Sequence, residues 1–346
     1  MVERYAYRWF NRIIAFRYMD VHGFTGTPVV SPAVLTSTNG LPEVLAAAKR
    51  GEYDSRVFSL RVNDKAKERI EGLLSGSILA DDPQGRAYGL LLQSECRFWN
   101  HNLPFMFENV GKEAGRVDEL LMPADLLAEG SVLRNAVEIM TPEDCGVDDP
   151  SGNVEIIGWL YQYYISERKN EVMDGFKKNH KAGANEIPAA TQLFTPDWIV
   201  RYLVQNTVGR LWMQSHPDSQ LYKNWDYYIQ PSGDDSAGNE DIFNIQVPED
   251  LTVCDPACGS GHMLTYAFDL LYEIYEEEGY APSDIPGLIL KHNLYGMEID
   301  ERAASLAAFA LTMKLAPVPV DSSRGRWSRI FSALRRLRSR KTKSPS

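Results

Sequence analysis

The chain has 346 residues, 44% hydrophobic and 24% charged, which fits a globular protein of about two domains and excludes fibrous and intrinsically disordered classes. A net charge of -11 argues against a uniformly basic nucleic-acid binder, but it conceals two unlike pieces. Residues 322–346 hold nine Lys/Arg and no Asp/Glu, so residues 1–321 carry -20.

Cys96, Cys145, Cys254 and Cys258 are too few and too scattered for a disulfide framework, which suits a reducing compartment. The N-terminal apolar runs are flanked by charges on both sides, unlike a signal peptide. The longest apolar candidate, Ala303 to Leu315, contains Lys314 and falls short of the about 18 residues that a membrane span needs. A soluble cytoplasmic protein with no membrane partner is expected.

The first 180 or so residues read as mainly helical. Phe10, Ile13, Ile14 and Phe16 recur near helical spacing within Tyr7 to Met19, and Leu41 to Lys49 and Lys65 to Leu74 are rich in helix formers. Turn residues punctuate the chain at Asp81 to Gly85 and at Thr141 to Asn153. From Val154 to Met173, the residues Ile157, Leu160, Tyr161, Tyr164 and Ile165 mark one helix face. A second region opens near Pro188, and Trp198 to Met213 is again helical, with Thr195 as its N-cap and Pro196 at its first position. Pro231 to Asn239 has the composition of a surface loop.

Chemistry concentrates in Asp250 to Leu270. Leu251, Val253 and Cys254 suit a short buried parallel strand, which runs through Asp255-Pro256-Ala257-Cys258-Gly259-Ser260-Gly261 into a helix from His262 to Glu278. A strand ending in a glycine turn that opens a helix lets a ligand pack on bare backbone N–H groups, with Gly259 and Gly261 giving the close approach. Asp255, at the carboxyl end of the strand, falls at the crevice where doubly wound sheets hold ligands. Asn293 to Ile299 reads as the next strand and ends in Glu298 and Asp300, where nucleotide-binding folds place a carboxylate on ribose hydroxyls. A glycine turn alone is as often a plain tight connection; Glu298 after a second strand tips the reading to a ligand site. Cys254, Cys258 and His262 are spaced by four but span strand, turn and helix, so no metal is expected.

Asp255 to Gly261 resembles motif I of adenine-specific N6 DNA methyltransferases. Leu193-Phe194-Thr195-Pro196 resembles motif X, placed upstream as in the gamma-type order, and Tyr295 to Asp300 resembles motif II. The helical first half, including Tyr7 to Arg12 and Gly158 to Tyr164, is similar to the PglX family of the BREX phage-defence systems, a restriction-modification type of function. The likeness covers about residues 1–315. It implies an α/β fold with a helical N-terminal domain (1–187) and an incomplete Rossmann-like domain (188–316) dependent on S-adenosylmethionine, followed by a basic, aberrant or disordered tail (317–346). It assigns Asp255, Ala257, Gly259, Ser260 and Gly261 to the cofactor's methionine and ribose side. Glu298 falls to the ribose hydroxyls, and Phe194, Thr195 and Pro196 to the methionine part. DNA and other defence-system proteins are the implied partners.

Such enzymes flip the target adenine and hold its amino group with an Asn/Asp-Pro-Pro-aromatic motif. This sequence has no Pro-Pro dipeptide, so no catalytic residue is assigned, and a truncated, inactive form is expected. A methyltransferase for a non-DNA substrate, or a non-catalytic interaction component of a defence complex, are the alternatives. The tail reads as out-of-frame coding or as a basic amphipathic helix.

Overall fold

The computed structural model describes residues 2–37, 40–107, 120–147, 153–178, 180–181, 183, 186–191, 195–231 and 245–315. The expected loop after Pro231, the tail 317–346 and Phe194 lie outside the described residues. The chain divides into two compact units, Met1–Ile156 and Ile157–Ser346. Among the described residues, secondary structure is mostly helical, with one small parallel sheet. Among the described residues no helix is long and apolar enough to cross a membrane.

The first unit is built round α1 (Val2–Val21), followed by α2 (Glu43–Lys49), α3 (Ser55–Phe58), α4 (Arg61–Ser75), α5 (Pro83–Asn100) and α6 (Val132–Ile139). The sequence reading gave α1 one apolar face; instead every residue from Asn11 to Val21 is buried. Of the polar side chains enclosed on its other faces, Arg17 and Asp20 are held by hydrogen bonds. Arg17 donates to Met140 O (2.9 Å), Ser31 Oγ (2.9 Å) and Leu35 O (3.1 Å). Asp20 accepts five hydrogen bonds, from Thr25 Oγ1, the backbone N–H of Val29, Val30 and Ser31, and Ser31 Oγ. These bonds fold the segment 25–31 back onto the helix end, the condition under which a buried charge is tolerated. The helix pair α4 and α5 is delimited as its sequence dictates. Gly76 takes the left-handed conformation (φ 79°) after α4, and Asp82 accepts from Gly85 N–H to cap α5, with Pro83 in its first turn.

The second unit contains nearly all of α7 (Glu155–Tyr164), then α8 (Ser166–Lys177), α9 (Ile187–Thr191), α10 (Asp197–Val204) and α11 (Arg210–Ser215). The single helix expected from Val154 to Met173 is two, joined at buried Ile165. The apolar face stops there, and Val172 is the buried residue that α8 contributes. The helix expected from Trp198 is interrupted by a π turn, Gln205–Gly209. Its cause is the buried Gln205, whose Nε2 donates to Tyr266 Oη (2.6 Å) and whose Oε1 accepts from Tyr227 N–H (2.8 Å). Thr195 is not the N-cap. Pro196 occupies that place with no side-chain cap, and Asp197 opens the helix, paired with Arg201 (2.8 Å).

The core of this unit centres on α12 (His262–Glu277), which follows β1 (Val253–Asp255) and buries Leu264, Ala267, Phe268, Leu270, Leu271, Ile274 and Tyr275. Then α13 (Ile285–His292) leads to β2 (Leu294–Gly296), and α14 (Glu301–Met313) follows. The strands are parallel, with Val253 opposite Leu294, Cys254 opposite Tyr295 and Asp255 opposite Gly296. Parallel strands joined through helices form the βαβ arrangement. Leu294 is buried and Val253 partly so, against the helical core, whereas Cys254 and Tyr295 are exposed. The strand expected to be wholly buried is therefore covered on one face among the described residues.

The start of the sheet hangs on Asn293, which is wholly buried. Its Nδ2 donates to Pro248 O and Leu251 O, both at 2.7 Å, and its Oδ1 accepts from Tyr275 Oη at 3.0 Å. Asn293→Ala leaves two carbonyls and a phenol without their partner, and is expected to destabilise this unit by about 2 kcal/mol, read as a lower midpoint in urea unfolding.

Candidate functional site

Strand β1 and strand β2 end side by side, and the turn after β1 is stitched to the chain after β2. Met297 N–H donates to Asp255 O (2.9 Å), and Cys258 N–H donates to Met297 O (3.0 Å). Gly259 N–H donates to Glu298 Oε2 (2.7 Å), and Glu298 Oε1 accepts from Asp300 N–H (2.9 Å). Asp255 Oδ1 accepts from Ala257 N–H (3.1 Å), closing the turn on itself. Asp255, Ala257, Gly259, Ser260, Gly261 and Glu298 are thus brought together by the two strand ends.

The glycines have different duties. Gly259 (φ 55°) and Gly261 (φ 92°) both take the left-handed conformation that side chains disfavour. Gly261 is buried, and a Cβ there would stand 3.0 Å from Ala307 Cβ, so its bareness admits α14 beside the turn. Gly296 is bare for the same kind of reason, since a Cβ would meet Leu264 Cδ1 at 2.8 Å and Cys258 Sγ at 3.2 Å. Gly259 is the glycine in the hydrogen bond to Glu298. Ser260 is 3% exposed, with its hydroxyl turned into the protein.

Of the upstream set, Thr195 is half-buried and Pro196 exposed at the start of α10. Helix α10 packs on α12, with the Arg201 guanidinium 5.4 Å from the Tyr266 ring centre. Burial pushes the Tyr266 hydroxyl above its ordinary pKa, with the Gln205 bond opposing. Among the described residues no cluster of His, Cys, Asp or Glu is placed to hold a metal ion.

Sequence reasoning missed a third contributor, α7. Tyr161 is wholly buried, and its hydroxyl donates to Asp300 Oδ2 at 2.6 Å. A Cβ on Gly158 would stand 2.4 Å from Ser260 Oγ and 2.6 Å from His262 Nε2, so the helix rests directly on the turn. The strip Gly158 to Tyr164 was marked in the sequence, but its link to a residue 139 positions away leaves no local signal.

A parallel strand–helix–strand unit with a glycine turn and carboxylates at its strand ends is the arrangement at whose strand ends α/β proteins hold nucleotide-like groups. The chain is a homologue of adenine-specific methyltransferases. It is 41% identical over 323 residues, 90% of its length, to the adenine-specific methyltransferase BrxX of Escherichia coli O9:H4 (strain HS), of which it covers 24%. It is 37% identical over 329 residues, 91% of its length, to the adenine-specific methyltransferase PglX of Lacticaseibacillus casei (strain Zhang), of which it covers 26%. The chain spans about a quarter of the length of these relatives. No family model matches the sequence.

Proposed function

We propose that the second unit is the methyl-donor half of an adenine-specific DNA methyltransferase of BREX type, holding S-adenosylmethionine at the carboxyl ends of β1 and β2 in a Rossmann-like domain over residues 188–316. The observation that carries this reading is the bond from Gly259 N–H to Glu298. It puts a carboxylate beside a glycine turn at the end of a parallel strand pair, where a nucleoside ribose is held in α/β folds. The names of the homologues supply the adenine and the methyl transfer.

The donor set suits that cofactor. Glu298 uses one lone pair of each oxygen on Gly259 and Asp300, which leaves acceptor capacity for two ribose hydroxyls. Asp255 adds negative charge near a cofactor that carries an ammonium and a sulfonium. Bound there, S-adenosylmethionine supplies an electrophilic methyl group. Ala257 and Ser260 contribute backbone to the cradle, and Gly261 keeps α14 in place behind it. Phe194, Thr195 and Pro196 are assigned to the methionine end.

Attack by an adenine needs groups that accept hydrogen bonds from N6 and a ring that stacks on the flipped base. With no Pro-Pro dipeptide in the sequence, those groups are not supplied by the usual motif. The 346-residue chain is therefore expected to bind the cofactor and to methylate DNA little or not at all. Calorimetric titration tests the site: Asp255→Ala should weaken binding about tenfold, the loss of one charged contact. Equal affinities, or strong labelling of DNA by the chain alone, would overturn the reading.

A further inference from the structure

We propose that Tyr161 of α7 is a positioning residue for Glu298, acting through Asp300; this rests on Glu298 being the ribose ligand. The Tyr161 hydroxyl holds Asp300 Oδ2 at 2.6 Å, while Asp300 Oδ1 accepts from Arg302 N–H and Arg302 Nε, both at 3.0 Å. Donors on both oxygens pin a carboxylate that is 5% exposed. Pinning the side chain fixes the peptide behind it, and that peptide's N–H is the donor to Glu298 Oε1 at 2.9 Å. Glu298 Oε2 then receives Gly259 N–H at 2.7 Å. An unbroken chain of hydrogen bonds and one peptide unit runs from α7 to the glycine turn.

The approach of α7 is itself written into the sequence. Gly158 lets the helix lie on Ser260 and His262 at distances no Cβ allows, and Tyr161 is one turn further along the same helix, on the face that meets the site. Helix α7 thus braces the turn with one residue and the acidic strand end with another. A bidentate grip on a ribose diol depends on the plane of the carboxylate, because each hydroxyl needs its own oxygen within a narrow range of angles. Freed from Asp300, Glu298 keeps its charge but loses that orientation. Gly158 and Tyr161, outside all three methyltransferase motifs, thereby belong to the cofactor site.

The test uses the full chain and two ligands, S-adenosylhomocysteine and its 2′-deoxyribose analogue, titrated calorimetrically into wild type, Tyr161→Phe and Gly158→Ala. Wild type should prefer the ribose form about tenfold, the worth of a charge-assisted hydrogen bond. In Tyr161→Phe the preference should shrink to about twofold, with the deoxy analogue, which keeps only its 3′-hydroxyl for Glu298, weakened less than the ribose form. A purely structural role for Tyr161 weakens both ligands by the same factor and leaves the preference intact; that result overturns the proposal. Wild type that binds neither ligand, or does not distinguish them, overturns the ribose role of Glu298 and this proposal with it. Should Tyr161→Phe fail to fold, Gly158→Ala decides: it displaces α7 without touching the hydroxyl and must shrink the preference likewise, and an undiminished preference counts against the proposal.

Discussion

Glu298→Ala is expected to weaken S-adenosylmethionine binding by about a hundredfold, a loss of about 3 kcal/mol. Two effects contribute. The carboxylate accepts two hydroxyl hydrogen bonds in the proposed complex, and bonds to a charged acceptor are the stronger kind. Its removal also releases Gly259 N–H and Asp300 N–H, which the carboxylate bridges in this structure, so the turn loses the tie that shapes it before any ligand arrives. Glu298→Gln separates the two. The amide keeps one acceptor oxygen and nearly the same volume, so it can retain one of the two backbone bonds while losing the charge. An intermediate loss of about tenfold is expected. Titration calorimetry reads all three proteins. An alanine variant within threefold of wild type would remove Glu298 from the site.

The strand–turn–helix from Val253 to Glu277 was readable because its determinants are local. Gly259 and Gly261 take backbone angles that the sequence advertises by leaving out side chains, and a glycine turn between an apolar run and a helical run has few ways to fold. The strand β2 was anticipated too, but the run expected from Asn293 to Ile299 is only Leu294–Gly296, and Glu298 lies two residues beyond its end. What escaped reading was set by partners far away in sequence. The buried polar faces of α1 depend on Arg17 reaching Met140 and on Asp20 gathering the loop at 25–31. The π turn at Gln205 answers to Tyr266 and Tyr227. Helix α7 looked like one more amphipathic segment, and its tie to Asp300 exists only once the chain has folded. Asn293 read as a strand residue and is instead the side-chain hub in front of the strand. The charge asymmetry bears on none of these, because the acidic residues 1–321 hold the entire proposed site.

The first unit carries a cost that pH exposes. Glu95 on α5 is 4% exposed, and its carboxyl is pushed up to about 8 by burial, reinforced by Asp54 and Asp20 and opposed by Arg56 and a hydrogen bond from Trp99. At neutral pH the folded protein therefore holds Glu95 protonated, while the unfolded chain, with its carboxyl near the ordinary 4.5, releases the proton. The pKa is raised on folding, so stability is full below about pH 4.5 and is lost as pH rises to about 8, with no further loss above. Over the 2.5 units between 4.5 and 7, at 1.36 kcal/mol each, the cost is about 3 kcal/mol. Glu95→Gln, nearly isosteric with the protonated acid and able to accept the same bond from Trp99, removes the titration. It should stabilise the chain by about 3 kcal/mol at pH 7 and by close to nothing at pH 4. Urea unfolding of both proteins at the two pH values measures the difference, and a gap that does not change with pH would mean that Glu95 is already ionised in the folded protein.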